Sequence, residues 1–203
     1  MKKLLILISI IVCALSANAQ TQINPVIGVN FSQLVNEPDE LNSESRLGWH
    51  FGANFRFGDR FYFQPGVHYA QLNSELTAVE DASSVTDTSF KSNIGVLRIP
   101  LLAGLRIFSN EDKEALFNVN VHAGIATELV LAVDEEKTGL TKDDFTNPIF
   151  AAVFGAGIDF LFLTFDIDYE LGLSPVFNNE RIKLSTEPKS NALLITIGGK
   201  FQL

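Results

Sequence analysis

Eleven residues near the C-terminal end of the chain alternate without a break. Leu163, Phe165, Ile167, Tyr169, Leu171 and Leu173 are apolar, and Thr164, Asp166, Asp168, Glu170 and Gly172 fall between them. A repeat of two sends successive side chains to opposite faces of a β-strand, so this strand has one oily face and one acidic face. Two environments accommodate it. In a soluble sandwich or lipocalin-like barrel the oily face meets a core and the acidic face meets water. In a transmembrane barrel the oily face meets lipid and the acidic face lines the lumen. Eleven tilted residues is about what a bilayer-spanning strand needs.

The same alternation recurs in Ile23–Leu34, Leu47–Phe57, Phe61–Leu72, Ser92–Phe108, Leu116–Val133, Pro148–Ile158 and Leu193–Leu203. In Ser92–Phe108 two apolar residues, Val96 and Leu102, interrupt the polar face, which leaves the phase of that run less sharply defined. Between the runs, long connections (Asn36–Ser45, Asn73–Lys91, Asp134–Asn147, Ser174–Asn191) alternate with short ones (Gly58–Arg60, Ser109–Ala115, Phe160–Phe162). Long-short alternation over an even number of strands predicts an all-β fold: an eight-stranded antiparallel up-and-down transmembrane β-barrel, with short turns in the periplasm and long loops outside. Aromatic residues fall where girdles are expected. Phe57, Phe61, Phe108, Phe117, Phe160, Phe165 and Phe201 lie toward the short-turn end, and Trp49, Tyr69, Phe150 and Tyr169 toward the long-loop end.

The first nineteen residues read as a secretory signal peptide: Lys2 and Lys3, an apolar run from Leu4 to Leu15, and the small-residue site Ala17-Asn18-Ala19. The barrel domain is then 20–203. That apolar run is too short to span as a helix, and no later stretch is long enough. Cleavage removes Cys13, the only cysteine, so an exported domain is left with no disulfide or thiolate chemistry. It also removes Lys2 and Lys3, taking the formal charge from −9 to −11, with 13 basic and 24 acidic residues. A chain this acidic lacks the basic face of a nucleic-acid binder.

With this strand phase, Arg56, Arg98, Arg106 and Lys200 face inward together with Glu128, Asp159, Asp166, Asp168 and Glu170. An eight-stranded barrel has room only for its own side chains. Charges of both signs there are expected to pair, giving a salt-bridged plug. An inward glycine on every strand (Gly28, Gly52, Gly66, Gly104, Gly124, Gly155, Gly172, Gly198) leaves space for long charged neighbours. The trio Asp166, Asp168 and Glu170 could serve as a cation site or proton relay, but residues two apart on a strand are roughly 7 Å apart. Counter-ions for the arginines are the simpler reading. His50, His68 and His122 also point inward. No serine partner or HExxH spacing accompanies them, so they read as polar fill, not as a catalytic or metal centre. His50, nearest the outer rim, is the residue an enzyme would use. The loop acids (Glu37, Asp39, Glu40, Glu44; Glu75, Glu80, Asp81, Asp87; Asp134, Glu135, Glu136, Asp143, Asp144) fit no EF-hand and read as solvated loops. No cofactor is implied.

The run Leu97-Arg98-Ile99-Pro100-Leu101-Leu102-Ala103-Gly104-Leu105, with Gly28-Val29-Asn30 and Gly66-Val67-His68-Tyr69, resembles strands of the PorT-like outer-membrane β-barrel proteins of Gram-negative bacteria. The resemblance covers most of the chain after the leader. It implies an OmpA/OmpX-like eight-stranded barrel in the outer membrane, without catalytic residues and with a possible link to protein secretion. Because Leu203 ends the last strand, no peptidoglycan-binding domain is expected. The ending Ile195-x-Ile197-x-Gly199-x-Phe201-x-Leu203 looks like a signal read by the barrel-assembly machinery, although Leu stands where Phe or Tyr is usual. The expected partners are outer-membrane lipid and lipopolysaccharide, that machinery, and an envelope protein. The leading expectation is a non-enzymatic barrel with a structural or protein-interaction role; the alternative is a small or gated pore.

Overall fold

The computed structural model describes residues 21–35, 42–78, 88–108, 117–134, 141–178 and 188–202. The leader expected at 1–19 and Leu203 lie outside the described residues, as do most of the loop acids. Eight strand positions form: β1 (Thr21–Val35), β2 (Asn42–Gly58), β3 (Phe61–Ala78), β4 (Thr88–Phe108), β5 (Phe117–Val133), β6 (Ile149–Phe160), β7 (Leu163–Gly172) and β8 (Lys189–Gly199), the last continued by the short β9 (Phe201–Gln202). Each pairs antiparallel with its neighbour in sequence, and β1 closes the ring onto β8 and β9. In space β8 and β9 are one strand. Val26 lies opposite Gly198 and Ile23 opposite Phe201, the same register on both sides of the interruption. The interruption falls beside Pro25, which has no N–H to give the ladder.

Alternation then decides which side of the wall is oily. Ile27 (65% exposed), Phe154 (55%) and Ile167 (57%) point outward with almost every other apolar strand residue, while the polar set is buried inside. A soluble barrel would have the reverse arrangement. So large an exposed apolar band is stable only against lipid. Phe61, Phe108, Phe117, Phe160, Phe162 and Phe201 form the lower girdle, and Trp49 packs on Phe51 and Tyr69 near the upper rim, with ring centroids 5.7 and 5.6 Å apart.

At the short-turn end, Asp59-Arg60 and Leu161-Phe162 connect their strands. Gly58 adopts φ 114°, a conformation that favours glycine, but Leu161 takes φ 54° with a branched side chain. At the other end the wall is taller than the alternation suggests, by three residues in β8 and by more in β2, β3 and β4. Asn42–Ser45, Asn73–Ala78 and Thr88–Lys91, expected as loop, continue the ladder from Asn42 opposite Thr77 to Ala78 opposite Thr88. Above the bilayer neither face of a strand must be apolar, so the hydrophobic signal fades while the backbone pairing continues.

Two of the long connections turn back over the lumen. The segment with the 3-10 turn Lys142–Asp144 meets the segment after β7 through an isolated bridge, Phe145 to Phe177. Thr146 N–H donates to the Val176 carbonyl (2.9 Å) and Asn178 N–H to that of Asp144 (2.9 Å). The two phenyl rings drop into the barrel mouth 5.3 Å apart. There they pack with Leu34, Leu72, Ile94, Val96, Val130, Ile149 and Val176. The upper lumen is therefore closed by an apolar cap.

Candidate functional site

Beneath the cap the lumen is polar, and its side chains settle into two networks. The lower one begins with Tyr62, which alternation turns inward from β3. Its ring carries the Arg56 guanidinium on one side, 4.4 Å from the centroid, and that of Arg106 at 5.6 Å. Gly104 makes the fit possible, because a Cβ at that position would fall within the Tyr62 ring. Tyr62 Oη donates to Asn120 Oδ1 (2.9 Å). Arg56 donates through Nε to Gln64 (2.8 Å) and through Nη1 to Asp159 Oδ2 (3.0 Å), in a pair hidden from solvent. Lys200 approaches the same carboxylate at 3.9 Å. Arg106 instead reaches down to the β2–β3 turn, donating to the carbonyl (2.7 Å) and carboxylate (2.9 Å) of Asp59, and to Gln22 (3.2 Å).

The upper network centres on Arg98, which donates through Nε to Glu170 Oε1 (2.6 Å) and forms a buried ion pair with it. Its Nη1 lies 2.9 Å from His68 Nδ1, and His68 Nε2 lies 2.8 Å from Asn54 Oδ1. His50 Nε2 is 3.0 Å from Thr196 Oγ1. Between the networks, His122 Nε2 meets Asp168 Oδ1 at 2.5 Å. Gly155 lies against both of those side chains and has no Cβ to separate them.

All nine charged residues named from the sequence lie on the inner face, but they do not form one plug of arginine–carboxylate pairs. Arg56 with Asp159, and Arg98 with Glu170, are such pairs. Arg106 pairs with the turn residue Asp59, and Asp168 with a histidine. Asp166 and Glu128 are buried, and neither forms an ion pair or hydrogen bond with another side chain among the described residues; Asp166 Oδ1 is fully enclosed. Of the acidic trio, only Glu170 neutralises an arginine. No group of three or more His, Cys, Asp or Glu among the described residues has the geometry to hold a metal ion.

Sequence reasoning missed Asp59, Tyr62 and the cap. Tyr62 was legible, since an aromatic in the inward phase of a charged lumen invites stacking by arginine. Phe145, Val176 and Phe177 were legible only as apolar residues inside otherwise polar connections.

The family match agrees with this geometry. Residues 17–178 match the family described as outer membrane protein beta-barrel domain. Among curated proteins, none matches the chain in sequence. Solved barrels resemble it distantly. The outer membrane protein OprG from Pseudomonas aeruginosa is 11% identical with a TM-score of 0.49, over 93% of this chain and 99% of that one. Neisserial surface protein A is 12% identical with a TM-score of 0.45, over 91% and 99%. Ail of Yersinia pestis is 14% identical with a TM-score of 0.42, over 90% and 99%. With a closed eight-stranded wall, a lipid-facing apolar band and a family match over most of its length, the chain belongs to the outer-membrane β-barrel domain family and is a protein of the cell outer membrane.

Proposed function

We propose that this barrel is a non-conducting, non-enzymatic outer-membrane protein whose work is done at its rims, in a structural or protein-interaction role. The observation that carries this reading is the double closure of the lumen: an apolar cap of loop residues above, and arginine–tyrosine–carboxylate packing below. A solute would have to displace both. An enzymatic use of His50 is disfavoured for the same reason, because its ring is 1% exposed and lies under the cap. Contact with an envelope protein through the long loops or periplasmic turns, a secretion-associated task as in PorT-like proteins, contact with lipopolysaccharide, and recognition of the C-terminal strand by the assembly machinery all belong to this proposal. Cross-linking in intact cells, followed by mild-detergent purification, tests it. A stoichiometric protein partner is the expected result, and a barrel that purifies alone and conducts in planar bilayers would overturn the reading.

A gated pore is the second reading. What favours it is that the cap is built from loop segments and not from the barrel wall, so it can in principle leave without breaking the barrel.

A further inference from the structure

We propose that His68 is an acid-sensitive latch holding the lumen closed beneath the cap. The geometry fixes how its ring is protonated. Arg98 Nη1 can only donate, so His68 Nδ1 at 2.9 Å must accept. The ring's one proton is therefore on Nε2, donated to Asn54 Oδ1 at 2.8 Å. Reversing the Asn54 amide does not change this, because an imidazole cannot accept at both nitrogens. A second proton has one place to go, Nδ1, where it would point at the guanidinium. An accepted, charge-assisted bond would become two donors and two positive charges face to face.

The surroundings make that contact hard to evade. Arg98 is held from β7 by Glu170, with Glu128 on β5 in register beside it. From β2, His50 faces His68 with ring centroids 6.1 Å apart, and its own Nε2 is engaged by Thr196 of β8. Asp168, next along the inner face of β7 from Glu170, is taken by His122. Of the carboxylates on this side of the lumen, Glu170 is already paired with Arg98 and Glu128 stands in register with it.

The latch sits directly under the cap. Two residues along the inner face from His68, Arg98 and Glu128 are Ala70, Val96 and Val130, which form the cap's floor. Letting Arg98 swing away disturbs the strands on which Phe145 and Phe177 rest. Linkage gives the size: one proton taken up only in the open form raises the opening equilibrium by up to about tenfold per pH unit below the usual histidine range, about pH 6.

The test is hydrogen exchange of the whole barrel in nanodiscs from about pH 7.5 to about pH 4.5, spanning the histidine range, corrected for the intrinsic pH dependence of exchange. The readout is protection of the cap amides Thr146, Val176 and Asn178. Wild type should lose protection steeply as pH falls. His68→Gln, whose amide can accept from Arg98 and donate to Asn54 without titrating, should keep it. His50→Gln should behave as wild type. Unchanged protection in wild type, or equal loss in His68→Gln, would overturn the latch. Should His68→Gln fail to fold, ring resonances of His68 in the wild-type barrel decide: a charge that does not appear together with cap opening also overturns it. The proposal concerns how the closed state is held, so it stands or falls apart from any conductance or partner.

Discussion

At the scale of single residues the barrel wall and its lumen obey opposite rules, and substitutions can tell them apart. Ile167 faces lipid near the middle of β7, so Ile167→Lys is expected to cost about 2–4 kcal/mol in urea titrations of the reconstituted barrel. Asp168→Asn, one residue along, leaves the lipid face untouched. Its effect is confined to the His122 contact and should appear in the His122 ring resonances with much less loss of stability. Arg98→Met is the costly inward change. It strands Glu170 without a cation, and breaking a buried pair in this way costs about 3–5 kcal/mol. Changing both partners, Arg98→Met with Glu170→Leu, should recover much of that loss, because the pair's desolvation disappears with it. The phase of the strands was legible from alternation, least sharply in β4, where Val96 and Leu102 stand on the inner face. Partner choice was not: Asp59 captures Arg106 because a tight turn presents it at the lumen's edge, and that proximity has no signature in the spacing of charged residues.

At the scale of elements, the cap and the turns carry the informative departures. Phe145→Ala or Phe177→Ala removes a ring from a packed cluster, and each is expected to cost about 3–5 kcal/mol in the cap's local stability. Exchange of the Thr146 and Asn178 amides should accelerate while the β-ladder amides stay protected. In the β6–β7 turn, Leu161 holds a left-handed conformation that glycine adopts freely. Leu161→Gly is therefore expected to gain about 1 kcal/mol, read as a higher urea midpoint at unchanged slope. Strand ends were legible at the periplasmic side, where turns are short and lipid begins at once. They were poorly legible at the outer side, since pairing there outlasts the hydrophobic pattern. The cap escaped for a related reason. Its three apolar side chains come from two segments far apart in sequence, and only barrel closure brings those segments together.

At the scale of the whole molecule, closure makes the fold a ring with no free edge along the bilayer, as an outer-membrane protein requires. The height of the wall is uneven: β4 runs for 21 residues and β3 for 18, against 12 for β6 and 10 for β7. At roughly 3.3 Å per residue and a tilt of about 40°, the β3–β4 side stands about 20 Å above the β6–β7 side. Seen from the medium, this is a blade rising from one edge of a low collar. Among the described residues, that side is the part of the wall that projects farthest beyond the lipid-facing band.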